Sequence, residues 1–265
     1  LRDLDSGAVW TATALPIRGQ GTYVARHGFG YSRFDHAAHD ISAEMVQFVP
    51  LDAPVKVTRL RLRNTGPSDR RLSVSAYAEW VLGPSRGASL PYIVTRRDHT
   101  GAILATNTYA MAFPGRVAFA DLGQETTSHT ADRAEFIGVG GSLADPRGLR
   151  APAFSGRTGP GLDSCAALQR LVTLGPGDTV DVVFLLGQAE SDSAASALVK
   201  RMRALDPDQM LAEVKEHWSR VLGAVQITSP DRSFDILLNG WLMYQTLACR
   251  IWARAGFYQA SGAYG

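Results

Sequence analysis

Cysteine is scarce: the 265-residue chain has two, Cys165 and Cys249, far apart in sequence. A disulfide framework needs more, and two thiols in a chain of this size read as reduced and buried, which fits a cytoplasmic setting. Long apolar runs are missing too. No stretch reaches the ~18 residues that cross a bilayer, and the longest runs, such as residues 182–187, are strand-sized. An excess of one charge is absent as well: 27 basic residues stand against 25 acidic ones, a net charge of +2. Lys/Arg runs do not exceed pairs such as Arg70-Arg71 and Arg96-Arg97, so the basic stripe of a nucleic-acid groove is lacking and nucleic acid is not expected as a partner. The start, Leu1-Arg2-Asp3-Leu4-Asp5, carries neither an initiating Met nor a signal-peptide layout and reads as the cut edge of something longer. There is no P-loop and no G-x-S-x-G. Arg18-Gly19-Gln20-Gly21 resembles half of a dinucleotide fingerprint, but the third Gly and the following helix are missing.

What is present is ordinary globular material, 45% hydrophobic and 20% charged, with enough apolar residues for a sizeable core. The length suits about two domains, or one large all-β domain with an appendage. Up to about residue 190 the apolar period is two. Residues 55–64 and 71–80 alternate around Thr65-Gly66-Pro67, which predicts a hairpin with Leu72, Val74, Ala76, Ala78 and Trp80 on its buried face. Within the first run, Lys56, Arg59, Arg61 and Arg63 interrupt the apolar positions. Further strands are expected at 9–15, 44–49, 103–109, 117–121, 166–174 and 179–186. Gly/Pro turns punctuate them, and many short strands of this kind predict a β-sandwich rather than βαβ units.

Beyond residue 190 the period becomes 3.6. Ser191-Asp192-Ser193 caps a helix to about Leu205. Asp206-Pro207-Asp208-Gln209 is a helix start, with Asp as N-cap, Pro at N1 and Gln at N3. That helix runs to about Leu222 on a stripe of Met210, Val214, Trp218 and Val221. Ser229-Pro230-Asp231 opens a third, whose buried face is expected to carry Phe234, Leu237, Leu238, Trp241, Leu242, Gln245, Ala248 and Trp252. At the end of a chain such a face is left open, which implies partner helices elsewhere.

Candidate chemistry is sparse. His27, His36 and His39 with Asp35, Asp40 and Glu44 are metal-ligand types. At i, i+3, however, His36 and His39 need a helix to converge, and Gly28 and Gly30 oppose one. The stretch reads as a polar loop whose side chains bond backbone, with no metal expected. Glycoside chemistry needs a carboxylic acid aimed at the glycosidic oxygen and a base or nucleophile opposite it. Asp98, Asp121, Glu125, Glu135 and Glu190 have no context that marks such an acid and read as surface carboxylates. Most of the five tryptophans fall at core positions. Tyr258, Gln259 and Tyr264, in the Gly-rich loop after the last helix, are better placed to meet a sugar, whose apolar C–H face matches an aromatic ring.

The C-terminal residues carry a resemblance. Thr228-Ser229-Pro230-Asp231, Leu238-Asn239-Gly240-Trp241-Leu242, Tyr244-Gln245-Thr246, Cys249-Arg250, Arg254, Phe257-Tyr258-Gln259 and Gly262-Ala263-Tyr264-Gly265 resemble the start of the catalytic barrel in inverting disaccharide phosphorylases, the cellobiose and chitobiose phosphorylase family. The version most similar is that in the C-terminal module of bacterial cyclic β-1,2-glucan synthases. His27-Gly28-Phe29-Gly30-Tyr31-Ser32 resembles the sandwich domain of that family. The resemblance implies a mainly β fold: a large antiparallel β-sandwich over 1–190, a helical linker over 191–228, and over 229–265 the first helix and loop of an incomplete (α/α)6 barrel. The catalytic acid and the phosphate-binding residues of the family lie downstream, so no catalytic residue is carried over, and Gln259 and Tyr264 are the expected substrate-proximal residues. For the parent, the resemblance implies inverting phosphorolysis of a β-glucoside, with inorganic phosphate as co-substrate and no other cofactor. The implied partners are a β-glucan or oligosaccharide and the rest of the parent polypeptide, in an inner-membrane protein of which this is a cytoplasmic segment. This chain alone is then expected to be inactive. The alternative is a non-catalytic module, a sandwich that binds glucan or forms a homodimer through the helix of residues 231–254.

Overall fold

The two-residue period is met by two antiparallel sheets. The computed structural model describes residues 1–111 and 113–252, with the backbone of 258–259 and 262–263. The smaller sheet has four strands in the spatial order β1 (Arg2–Asp3), β6 (Arg70–Glu79), β11 (Ser164–Leu174) and β10 (Ser128–Asp132). The larger has eight, in the order β2 (Tyr23–Gly28), β3 (Tyr31–Ala38), β4 (Ile41–Phe48), β5 (Val55–Asn64), β12 (Thr179–Ala189), β9 (Val117–Asp121), β8 (Ile103–Asn107) and β7 (Ile93–Arg97). The fold is therefore a mainly β sandwich with helices at the C-terminal end, as the alternation predicts.

Alternation decides what each face meets. Ile41, Ala43, Leu62 and Val182 of the large sheet pack against Leu72, Val74, Ala166 and Leu168 of the small one. Leu62, Leu72 and Leu168 are wholly buried, each contributing roughly 1.5–3 kcal/mol by transfer from water. The opposite face of the large sheet presents Val46, Phe48, Val55, Val57, Phe119 and Leu185. After two one-turn helices, α1 (Arg86–Ser89) and α2 (Arg133–Phe136), the longer α3 (Asp192–Arg203) and α4 (Pro207–Leu222) cover this face with Ala195, Val199 and Met202 and with Met210, Val214, Trp218 and Leu222. Outside the small sheet, Phe136, Ile137, Leu149 and Phe154 lie over Cys165 and Ala167.

Both helix starts follow the capping rules. The Ser191 hydroxyl accepts from Ala194 N at 3.2 Å, and the Asp206 carboxylate accepts from Asp208 N at 2.9 Å with Pro207 at N1. A third helical stretch opens behind the Asp231 cap as α5 (Arg232–Ile236). It passes through a π-helical turn at Leu237–Trp241 into α6 (Leu242–Gln245) and a second π turn at Thr246–Trp252. Strands β13 (Tyr258–Gln259) and β14 (Gly262–Ala263) then pair antiparallel. Among the described residues, no helix is long and apolar enough to cross a membrane.

Four expectations are corrected. Residues 55–64 and 71–80 are both strands, but not a hairpin: β5 pairs with β4 and β12, while β6 pairs with β1 and β11 in the other sheet. The turn between them is a corner from one sheet to the other. Its post is Asn64, fully buried, whose amide donates to Ser68 O at 2.8 Å and Leu174 O at 3.0 Å and accepts from Gly66 N at 3.0 Å. Residues 9–15 form no strand; Val9 makes one isolated bridge to Arg2. The segment read as a polar loop, 26–40, belongs largely to β2 and β3, where His27 meets Ser32 and Arg26 meets Asp35 across the ladder. Most of the apolar stripe of the third helix is also turned outward: of the predicted face Ala248 packs toward the sandwich, with Gly240, Tyr244 and Leu247 beside it, while the Trp252 side chain lies outside the described residues. Phe234, Trp241 and Leu242 remain 48%, 43% and 46% exposed.

Candidate functional site

The two motifs that carry the family resemblance, distant in sequence, meet in space. Gly28 pairs with Tyr31, so Phe29-Gly30 forms the tip of the β2–β3 hairpin. Gly30 has φ +80°, a region closed to most side chains by steric contact. A Cβ there would lie 2.6 Å from Trp218 Nε1 and 2.7 Å from Val214 Cγ1, so the tip is wedged against α4. Its backbone N–H donates to the Tyr244 hydroxyl at 3.1 Å. Phe29 closes on the other side: a Cβ on Gly240 would stand 2.7 Å from Phe29 Cζ, and the Phe29 and Tyr244 ring centroids are 5.1 Å apart. Trp218 meets Tyr244 edge-on at 4.5 Å, a favoured aromatic geometry. Gly240 sits in the first π turn, a rare form of helix that often marks functional positions.

Asn239, beside Gly240, straps the preceding linker. Its side chain accepts from Ile227 N at 2.7 Å and donates to Ile227 O at 2.8 Å, while Gln226 donates to Asn239 O at 3.2 Å. The Asp235 carboxylate accepts from Ser229 N at 2.9 Å. The result is a fixed junction from which the chain runs on to β13 and β14. Gln259 lies in β13 opposite Gly262, and Tyr264 lies outside the described residues.

The helix-side face of the large sheet continues past the N-terminus of α4 as a charged ladder. Arg26 pairs with Asp35, Arg33 with Asp35 and with Glu44 at 2.9 Å, and Glu44 with Arg59. Arg59, 5% exposed, reaches Asp208 of α4 at 2.7 Å, and Arg61 pairs with Asp181 at 2.8 Å and Asp208 at 3.1 Å. Beyond it, Ser42, Glu44, Arg61, Arg63, Thr179 and Asp181 line an open polar cleft of about 560 Å³. The interrupting arginines of β5 were the sequence signal for this ladder.

The other candidates are engaged separately. His27 Nδ1 lies 2.9 Å from Ser32 Oγ, His36 bonds Thr22 O at 3.0 Å and stacks on Tyr23, and the His39 ring lies 4.8 Å from Trp10. Among the described residues, no group of three His, Cys, Asp or Glu could hold a metal. Cys165 is a free, buried thiol whose pKa is pushed up by burial, which disfavours the nucleophilic thiolate.

Three of the five candidate carboxylates, Asp98, Asp121 and Glu135, are committed to structure, while Glu125 and Glu190 lie at the surface as expected. Asp98 accepts from Thr100 N at 2.9 Å, Ala102 N at 3.1 Å and Ser196 Oγ at 2.6 Å. Burial pushes its pKa up, but the bonds from Ser196 and Thr100 outweigh it and hold the group below the ordinary range. Glu135 is held low in the same way by Ser155 and Thr130 against its burial. Asp121, 1% exposed, accepts from Arg203 Nε at 3.0 Å. Glu125 pairs with Arg170, and Glu190 lies 3.8 Å from Arg116. A general acid for glycoside cleavage needs a raised pKa; the carboxyls shifted from their ordinary range, Asp3, Asp5, Glu79, Asp98 and Glu135, are all lowered.

Comparison with known proteins agrees with this layout. The family described as glycosyl hydrolase 94, supersandwich domain, matches residues 1–205, and the glycosyl hydrolase 94 superfamily catalytic domain matches residues 217–265. Cyclic beta-(1,2)-glucan synthase NdvB of Rhizobium meliloti is 38% identical over 268 residues, covering 100% of this chain and 10% of that protein. N,N'-diacetylchitobiose phosphorylase of Vibrio proteolyticus is 24% identical, over 100% of this chain and 34% of that protein. Solabiose phosphorylase of Paenibacillus borealis is also 24% identical, over 96% of this chain and 34% of its own length. The chain thus spans a tenth to about a third of these relatives. With the supersandwich match running through both sheets and α3, the chain belongs to glycosyl hydrolase family 94.

Proposed function

We infer that this chain is the sandwich and barrel-opening segment of a phosphorylase module that acts on β-glucans, in a parent resembling cyclic β-1,2-glucan synthase. In this reading residues 1–190 form the sandwich domain, 191–228 the linker and 229–265 the first helix and loop of an (α/α)6 barrel. The parent cleaves a β-glucoside with inversion: a carboxylic acid protonates the leaving oxygen while inorganic phosphate attacks the anomeric carbon from the opposite face. Gln259 and Tyr264 lie near the bound sugar. The parent is an inner-membrane protein, with this segment on the cytoplasmic side.

The observation that carries this reading is the helical stretch of residues 232–252. One side is clasped by the hairpin tip and α4, while Phe234, Leu237, Leu238, Trp241 and Leu242 on the other are open to solvent. Contiguous apolar surface of this kind marks an interface, and the remaining barrel helices are its natural cover. Incubated with β-glucan and phosphate, the chain alone is expected to release no sugar phosphate; the parent carrying the whole catalytic domain is expected to release it. Robust turnover by the chain alone refutes the reading.

The same open face favours a second reading, a non-catalytic module that forms a homodimer. Light scattering separates the two: a dimer that persists when the rest of the catalytic domain is present favours the second.

A further inference from the structure

The strands β4, β5 and β12 turn a second set of side chains away from the helices, toward the small sheet. Gln47 is opposite Thr58, Thr58 opposite Phe184, and Lys56 opposite Leu186. Together with Met45, Leu60 and Val182 they floor a cleft of about 280 Å³ between the two sheets. Its far wall is β6, from Val74 to Ala78. Three features make this cleft unlike a packing gap.

First, the half-exposed Gln47, the exposed Lys56 and the Thr58 hydroxyl have no hydrogen-bond or ion-pair partner among the described residues. An amide, an ammonium and a hydroxyl that converge on one hollow with no protein partner are free to bond a polar occupant.

Second, the wall is an open strand edge. β1 pairs with β6 only at Leu72 and Ser73. Arg71 O points toward β1, where it accepts from Leu4 N at 2.8 Å. Strand alternation therefore puts the N–H and C=O groups of Ser75 and Tyr77 on the same edge, beyond the reach of β1, so the cleft offers backbone donors and acceptors as well as amide, hydroxyl and ammonium groups.

Third, the floor is apolar and half-buried at Phe184, Leu60 and Met45, a surface for the C–H face of a ring. The volume falls just below the ~300 Å³ of the smallest ligand pockets, which sizes the occupant to a single sugar ring.

We propose that this inter-sheet cleft is a non-catalytic subsite for one glucosyl unit of a glucan chain, held by Gln47, Lys56, Thr58 and the free edge of β6 over Phe184. The glucan class rests on the function proposed above; the cleft itself does not. It opens on the opposite face of the large sheet from α3, α4 and the terminal helix, so the unit it holds is separated from the barrel end by the thickness of the sheet. Its role is to anchor a long polymer by a segment remote from the bond being cut.

The test is a titration of the chain with a β-1,2-linked gluco-oligosaccharide, followed by amide NMR, with an alternating Val-Thr hexapeptide as the strand-mimic control. Saturable shifts at the amides of Gln47, Thr58, Ser75 and Tyr77, with Kd at or below about 1 mM, are expected for the sugar. The double variant Gln47→Ala/Lys56→Ala truncates one half-exposed and one exposed side chain. It is expected to keep a folded spectrum and weaken binding at least about tenfold. Absence of saturable shifts at these amides, shifts confined to the Phe29–Tyr244 junction, or saturation by the peptide alone each overturns the proposal. Because no turnover is measured, a negative result leaves the phosphorolysis reading standing, and loss of phosphorolysis in the parent leaves this one standing.

Discussion

Gly30→Ala is the sharpest probe of the junction between sandwich and helix. Two costs add at this position. At φ +80° a Cβ crowds its own backbone, which costs about 1–2 kcal/mol for an L residue. The same Cβ would sit 2.6–2.7 Å from Trp218 and Val214, and overpacking of this kind costs roughly 1–3 kcal/mol. The sum, about 2–5 kcal/mol, falls on the docking of the hairpin tip to α4 and Tyr244 rather than on the inter-sheet core, which no contact of Gly30 touches. If the docking opens locally, amide exchange in residues 232–248 should accelerate by roughly 30- to 3,000-fold, at about 1.4 kcal/mol per tenfold. Amides of β5, β6 and β11 should change little. Gly30→Asn separates the two costs, since Asn tolerates positive φ but keeps the clash; it should fall between wild type and Ala. An Ala variant whose helix exchanges within about threefold of wild type would refute the claim that this glycine holds the junction closed.

Three further outcomes are expected. Tyr244→Phe removes the acceptor for the Gly30 N–H and should loosen the same helix by about 1 kcal/mol, read by exchange at residues 240–248 with the urea midpoint of the sandwich unmoved. Arg203→Ala leaves the Asp121 carboxylate, 1% exposed, without its cation; a loss of about 3–5 kcal/mol in urea unfolding is expected, and a loss below about 1 kcal/mol would contradict the burial. His129 has its pKa lowered from 6.5 by burial and by Arg97, 3.1 Å from its ring nitrogen, with Glu135 opposing. Its folded ring stays neutral where the unfolded one takes up a proton. Stability should therefore decline as pH falls below about 6.5 and level off once the folded ring protonates, and His129→Gln should flatten that part of the urea-midpoint curve. The loss tied to Asp98 and Glu135 should appear separately, at lower pH, as those carboxylates protonate.

What could be read from the sequence was local. Asp206-Pro207 marks the start of α4 to the residue because the cap and the fixed proline φ are properties of neighbouring residues. The alternation of residues 71–80 gave the buried face of β6 for the same reason. What failed was pairing. A short turn between two alternating runs predicts a hairpin, yet β5 and β6 each find better partners far along the chain, and only Asn64, buried among three backbone groups, shows that the turn is a corner. The third helix failed differently. Its period was right and its broad stripe was real, but the sandwich takes the Gly240–Tyr244 side, where a missing side chain admits Phe29 and a hydroxyl reaches the hairpin. A small residue and a polar tip carry no hydrophobic signal, so periodicity alone finds Ala248 but misplaces most of the face. The pairing of Phe29-Gly30 with Gly240 and Tyr244 is likewise invisible in one sequence. The five carboxylates first read as solvated are also mostly committed; Asp121 and Asp98 are capped by cations or hydroxyls that lie far off in the chain.

The charged ladder bears on how firmly this junction is held. Arg59, nearly buried between Glu44 and Asp208, gains Coulomb energy but loses hydration, and such pairs often add little net stability compared with apolar packing. Their geometry is another matter. Arg59 and Arg61 both reach the single carboxylate of Asp208 in the first turn of α4, which fixes where the helix begins on the sheet. One end of α4 is thus tied by ions, while Val214 and Trp218, toward the other, are notched by the hairpin tip. A rod fixed at two points on one sheet cannot rotate or slide independently of it. Tyr244 packs on Trp218 and bonds Gly30, so the terminal helix takes its pose from the sheet as well. Because Arg59 keeps Glu44 and Asp208 itself is half-exposed, neutralising Asp208 should cost little in global stability yet disturb the exchange pattern of residues 232–248, a split that a purely stabilising ion pair would not produce.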